Sequence, residues 1–393
     1  MATDLAPVTP SVLQWARESI GATLELAAQR ADVTPDRIAA WEAGESEPTV
    51  AKLRALATLY QRPLAVFFLP EPPREFDALR DFRKLPDQVE HVWSRRLHKV
   101  YRRAVAQQEV FADLQVKGGE VVALRIPAVS LDDDPERVAA MGRSALGVSL
   151  KTQLSWRTPD DAFAGWLRAV EDLGVLVLRT SEVAIQEMRG FSLGGNPFPA
   201  VVINALDWPR AQVFTLLHEF AHLMVREGGL CNLLEPDSGL ARRVEMFCNV
   251  VAGAIAMPAP SLLANDVLRP LGQRDWDDDV LTELSQRYGA SQEAVLRRLV
   301  TLGYASWDFY LSRRAGFLAA YQEARLEERA RRRQARGGPP PHRMAIRDRG
   351  RPYVRLVLDA YYRDLISPSN LSDLLGLKLK HLSALEREAG ATR

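Results

Sequence analysis

The sequence predicts a mainly helical chain with one small β-sheet, an α+β arrangement spread over more than one folded unit. Three observations carry this. Apolar residues recur at helical spacing along most of the chain, with Gly and Pro at the breaks. Two short β-branched apolar runs interrupt the helical pattern, at 175–178 and 200–203. The length of 393 residues exceeds one ordinary core. Net charge is +1, which gives no global pull toward nucleic acid or an anionic membrane. No run approaches the ~18 apolar residues of a membrane span, and residues 1–7 lack the basic and apolar regions of a signal peptide. The two cysteines, Cys231 and Cys248, form no C-x-x-C. Two reduced thiols in the cytoplasm are therefore expected.

Residues 11–70 read as short helices divided by turns. A helix over 11–19 is broken at Gly21, and a second follows over 24–31 with Leu26 and Ala27 inward. Thr34 stands where a cap belongs, Pro35 suits the first helical position, Gly44 suits the stop and Thr49 starts a fourth helix. With Ile38, Trp41, Glu42, Leu53 and Leu56 in register, this region (1–70) resembles the XRE-type helix-turn-helix fold of phage repressors. The resemblance implies a DNA-binding fold, but the residues qualify it. The start of the third helix offers Pro35, Asp36, Arg37, Ala39 and Ala40, of which only Arg37 suits a phosphate or a guanine. Residues 11–70 hold six basic against seven acidic side chains, net −1, a poor footing for contacts with phosphate. A protein-docking role is expected ahead of DNA binding, with Arg37 the candidate DNA contact.

A connecting helical region follows over 71–150. Its long helix, 74–115, is densely charged, and His91 and His98 lie on one face of it. They read as solvated side chains, because no carboxylate or cysteine nearby completes a metal-ligand set. Beyond a loop at 127–135, helices over 135–146 and 160–172 lead into a core expected at 151–265.

That core contains His218-Glu219-Phe220-Ala221-His222. Residues four apart project from one helical face, so two imidazoles can grip one ion, and Glu219, about 100° round the helix, can serve a water there. Leu216, Leu217, Phe220, Ala221, Leu223 and Met224 make the helix apolar nearly all round, which predicts burial. Buried histidines and a buried glutamate need partners, and a divalent cation supplies them. A catalytic zinc takes three protein ligands and leaves a position open. The next helical pattern, 240–256, offers Glu245 as the third, with Asn249 and Ala252 on the same face. Asn249 is assigned to orient Glu245 from outside the ligand set.

The stretch 214–223, then 245–252, then Met257-Pro258, resembles the ImmA/IrrE family of bacterial metallopeptidases. Blocks at 166–174, 188–192 and 202–204 extend the resemblance over about residues 155–300. It implies a gluzincin-like HExxH metallopeptidase domain in which His218, His222 and Glu245 bind the metal and Glu219 is the general base. Zinc is the expected ion, and manganese can replace it because two imidazoles and a carboxylate discriminate weakly. The resemblance also implies cleavage of a specific partner protein, a repressor or an antitoxin, that controls transcription or a toxin. The alternative is a DNA-binding regulator or antitoxin that works by binding. The runs 175–178 and 200–203 are expected as strands, with 189–192 a third strand or a loop, either plain framework or an edge for an extended substrate. Arg189, Asn204 and Tyr288 are candidate donors to the oxyanion.

The chain should stay helical over 266–336, with Ser291 capping a helix in a second unit like a helix-turn-helix. Arg297 and Arg298 there read as a solvated pair. A linker and a small helical unit occupy 337–393. Ser367 or Ser369 caps its helix over 371–375, and the unit is too small to hold a core alone, so it should dock on the rest.

Overall fold

The computed structural model describes residues 5–60, 62–72, 94–119, 124–194, 198–225, 239–268, 275–334 and 338–390. The chain divides into two compact units, one of residues up to 103 and one built from 104–232 and 240–393. Among the described residues the architecture is helical with a single three-stranded sheet.

In the first unit, α1 (Pro10–Glu18), α2 (Leu24–Ala31), α3 (Pro35–Glu42) and α4 (Val50–Tyr60) enclose Leu13, Ala27, Ile38, Trp41, Leu53, Tyr60 and Phe67. The α2–α3 turn is made by Asp32 in the left-handed region at φ 53°, a conformation a short polar side chain tolerates. Thr34 precedes α3 but makes no capping hydrogen bond. Pro35 behind it has no N–H to satisfy, which reduces what a cap would offer. Arg17 donates from Nε and Nη2 to the two oxygens of Glu42, each at 2.7 Å, tying α1 to α3. On the outer side of α3, Asp36, Arg37 and Ala39 are exposed.

Helix α5 (Arg95–Gly118) buries Leu97, Val100 and Ala104. His98 is buried with them and is not the solvated side chain expected, because the helix is amphipathic at that end despite its charge density. His91 lies outside the described residues.

The second unit continues with α6 (Pro135–Ala145), α7 (Leu150–Leu154) and α8 (Pro159–Glu171). Thr158 and Asp161 form a reciprocal capping box at the start of α8. Strands β1 (Leu176–Thr180), β2 (Gly190–Leu193) and β3 (Ala200–Asn204) form a sheet in the order β1-β3-β2. β3 runs parallel to β1, with Leu176 opposite Ala200, and antiparallel to β2, with Gly190 opposite Ile203. All five β3 residues are buried, as a central strand of continuous apolar sequence should be. The stretch left open between strand and loop is thus the strand β2.

Helix α9 (Pro209–Val225) packs on α8, β2 and β3. It is followed by α10 (Gly239–Ala256), α11 (Ala259–Leu263), α12 (Asp278–Tyr288), α13 (Gln292–Thr301) and α14 (Trp307–Gln334). Ser291 caps α13 by accepting from the Ala294 amide. Arg298 overturns its expected place on a solvated face: it is 2 % exposed and forks onto both oxygens of Glu136 at 2.5 and 2.7 Å.

The C-terminal helices are α15 (Pro341–Arg349), α16 (Arg351–Tyr362), α17 (Pro368–Leu375) and α18 (Leu382–Ala389). Ser367 is the residue that caps α17. α15 packs on β1, and Tyr353 of α16 stacks on Phe111 with ring centroids 6.5 Å apart. Gly350 makes the tight corner between α15 and α16 at φ +76°, where a Cβ would meet the Val177 carbonyl oxygen at 2.7 Å and Glu171 Oε1 at 3.0 Å.

Burial at this corner pushes the Glu171 carboxyl up to about 8, against the opposing charge of Arg351. The folded chain then keeps a proton that the unfolded chain releases above its ordinary value of 4.5. The stability this gives is fully present below about pH 4.5 and is lost as pH rises through about 8. Glu171→Gln is expected to remove that loss, worth on the order of several kcal/mol at most. Urea midpoints of the two proteins should converge at about pH 5 and separate at about pH 8.

Candidate metal centre

Helix α9 is rooted in the sheet. Asp207 precedes it, with Oδ1 accepting from the Trp208 amide at 2.9 Å and from the Tyr321 hydroxyl at 2.6 Å. Leu216, Leu217, Phe220 and Met224 are fully buried, which fixes the rotation of the helix. That rotation leaves His218 and His222 pointing to one place. Their Nε2 atoms stand 3.0 Å apart, with the rings edge to face at 4.7 Å between centroids.

Glu245 reaches the same place from α10. Its Oε1 lies 3.2 Å from His222 Nε2 and its Oε2 3.3 Å from His218 Nε2. The three residues bring one donor atom each within 4.8 Å of one another. Desolvation pushes the Glu245 carboxyl up, and the hydrogen bonds and charge of the two imidazoles outweigh it, holding the group well below the ordinary carboxylate range.

This donor set fits a small divalent ion. Ligands at about 2.0–2.2 Å around a tetrahedral centre stand about 3.3–3.6 Å from each other; the two Nε2 atoms are 3.0 Å apart, with Glu245 Oε1 3.2 Å from one and Oε2 3.3 Å from the other. Two imidazoles and one carboxylate are also the ligand types zinc takes in hydrolytic sites.

Glu219 is 6 % exposed, and its Oε2 has no hydrogen-bond partner among the described residues. A buried acceptor in that condition is costly unless a water or a substrate proton meets it. Gly190 at the start of β2 lies against it: a Cβ there would stand 2.5 Å from Thr215 Cγ2 and 3.5 Å from Glu219 Cγ. Only glycine lets the edge strand approach the motif helix this closely.

α10 is held at its far end. Arg143 Nη1 donates to the Ile255 carbonyl at 2.7 Å, Gln153 Nε2 to Ala256 at 2.8 Å and Arg298 Nε to Met257 at 3.0 Å. Three side chains from α6, α7 and α13 thus satisfy carbonyls at the end of the helix that bears Glu245. Local sequence gives no signal for them, since each contact spans at least 41 positions. Arg298→Ala breaks the Glu136 pair and the Met257 cap together. It is expected to cost about 3–5 kcal/mol by denaturant midpoint, with Arg298→Lys losing less.

Residues 170–300 match the family model described as the IrrE N-terminal-like domain, a peptidase family. The chain carries an ImmA/IrrE-type peptidase domain. Residues 13–67 match a helix-turn-helix family model, so an XRE-type module precedes it. No curated protein and no solved structure matches the chain. No helix among the described residues is long and apolar enough to cross a membrane.

Within the peptidase domain the other named residues fall differently. Asn249 is half-buried one turn beyond Glu245, and none of the hydrogen bonds at Glu245 comes from it. Asn204 cannot serve an oxyanion. Its Nδ2 donates to the Val183 and Met188 carbonyls at 3.0 and 2.8 Å and its Oδ1 accepts from the Leu206 amide, so it braces the corner after β3. Tyr288 is buried, with its hydroxyl 2.8 Å from Ser261 Oγ. Arg189 alone of the three keeps an exposed head, 3.5 Å from Asp207 Oδ2, and adjoins Gly190 beside Glu219.

Proposed function

We propose that the protein is a metal-dependent endopeptidase that cuts one specific partner protein, a repressor or an antitoxin, and so regulates transcription or a toxin. The observation that carries this is the convergence of His218, His222 and Glu245 beside the unpaired, buried carboxylate of Glu219. In this reading His218 and His222 offer Nε2 and Glu245 an oxygen to zinc, with manganese an acceptable substitute. A zinc ion held there would supply Lewis acidity toward a scissile carbonyl and an attacking water. Glu219 takes the proton from the attacking water and returns it to the leaving amine. Its burial keeps bulk water from competing for that proton. Arg189 is the candidate to steady charge on the carbonyl oxygen.

The N-terminal module brings the substrate in. The exposed Asp36 and the net charge of −1 over 11–70 favour a protein partner over DNA. The direct test is incubation of the metal-loaded protein with the repressor or antitoxin encoded beside it. Discrete fragments by mass spectrometry, absent after chelation, are expected; an intact partner with metal present would sink the reading.

The helix-turn-helix match favours a second reading, a regulator that works by binding DNA through Arg37. Its signature would be a salt-dependent shift of the neighbouring promoter that Arg37→Ala abolishes.

A further inference from the structure

A second site lies away from the histidines, where α7, the start of α8, the start of α9 and the end of α12 meet around a cavity of about 290 Å³. Arg157, Arg210 and Arg287 line it, and no carboxylate does. None of the three has an ion-pair partner among the described residues, and Arg210 is occupied only at Nη1, which donates to Ser285 Oγ at 2.7 Å. Its Nε is buried without a partner among the described residues.

A further polar side chain borders the same cavity. Gln153 is 2 % exposed; its Nε2 is used by the Ala256 and Tyr288 carbonyls, but its Oε1 has no partner. A small rotation of the amide would bring it to a ligand N–H or O–H. One wall is the Trp156 indole, laid across α8 where Gly165 makes room: a Cβ there would stand 2.2 Å from Cζ2. Asp160 and Asp161 stand in the first turn of α8 but do not line the cavity, and Asp161 Oδ2 accepts from the Thr158 amide.

Three guanidiniums, one buried acceptor and a flat apolar wall are the complement of a phosphate carried on a small organic body. We propose that this cavity binds a phosphate-bearing small molecule of about mononucleotide size. Guanidinium forks match phosphate oxygens in number and geometry, and the volume is at the lower end of small-ligand sites, about 300 Å³. Arg210 belongs to the helix of the two histidines, and Gln153 is one of the three side chains that hold the end of α10. Occupancy therefore acts on both ligand-bearing helices.

The test is calorimetric titration of the full-length, metal-loaded protein at constant ionic strength with inorganic phosphate, adenosine monophosphate and adenosine. Adenosine monophosphate is expected to bind, inorganic phosphate to bind equally or more weakly, and adenosine not to bind. Arg157 and Arg287 are exposed, so Arg157→Glu with Arg287→Glu leaves the fold intact and should weaken binding about tenfold or more. No binding of either phosphate compound by the unaltered protein overturns the proposal. So does adenosine binding as well as its monophosphate, or undiminished binding by the double variant, the result that phosphate held at the metal centre would give.

Discussion

Replacing Glu219 by Gln is expected to leave a folded protein that still loads metal and cuts its partner about 10³-fold more slowly. The substitution keeps the size of the side chain and its contact with Gly190, whose Cβ position lies 3.5 Å from Glu219 Cγ. It removes only the capacity to take a proton. Glu219 ligates nothing in the proposed arrangement, so metal content by mass spectrometry should match that of the unaltered protein. Single-turnover cleavage should separate the two. Equal rates at equal metal content would remove Glu219 from the chemistry and leave binding as the basis of function.

Glu245→Gln is expected to act on the other quantity. It leaves two imidazoles at 3.0 Å and replaces the carboxylate facing both with a neutral amide. Loss of a supporting hydrogen-bond partner costs roughly 10–100-fold in metal affinity, and loss of a charged ligand should cost more. The chain should purify metal-poor and lose cleavage in proportion to its metal. Its thermal midpoint should no longer rise when zinc is added, because an ion that binds only the folded state stabilises by mass action. Unchanged zinc affinity would place the third ligand elsewhere.

The histidine pair was legible because helical geometry alone determines that residues four apart share a face. Glu245 was legible because 240–256 offers one acidic residue after a marked loop. What escaped the sequence was the direction in which polar side chains point. Asn204 looked like a free donor at the cleft, yet the corner after β3 consumes all its hydrogen-bonding atoms. Arg298 looked solvated beside Arg297. It is buried because the face of α13 that carries it lies against the end of α10, while Arg297 stacks over Tyr310. His98 looked solvated for the same reason, since charge density along α5 hides the apolar face at its start. For Arg298 the deciding partners lie 41 and 162 positions away, and for Asn204 up to 21.

The two helices that meet at the centre are anchored by separate means. α9 is set by the sheet and by Asp207 at its root, whereas α10 is gripped at its tail by Arg143, Gln153 and Arg298. The spacing between Glu245 and the histidines therefore depends on two sets of anchors, with α6 touching both helices at Gly142, like the gap of a caliper. A change at the tail clamps resets that gap without touching a ligand. In the proposed metal site, the choice between zinc and manganese would then be open to residues that never approach the ion.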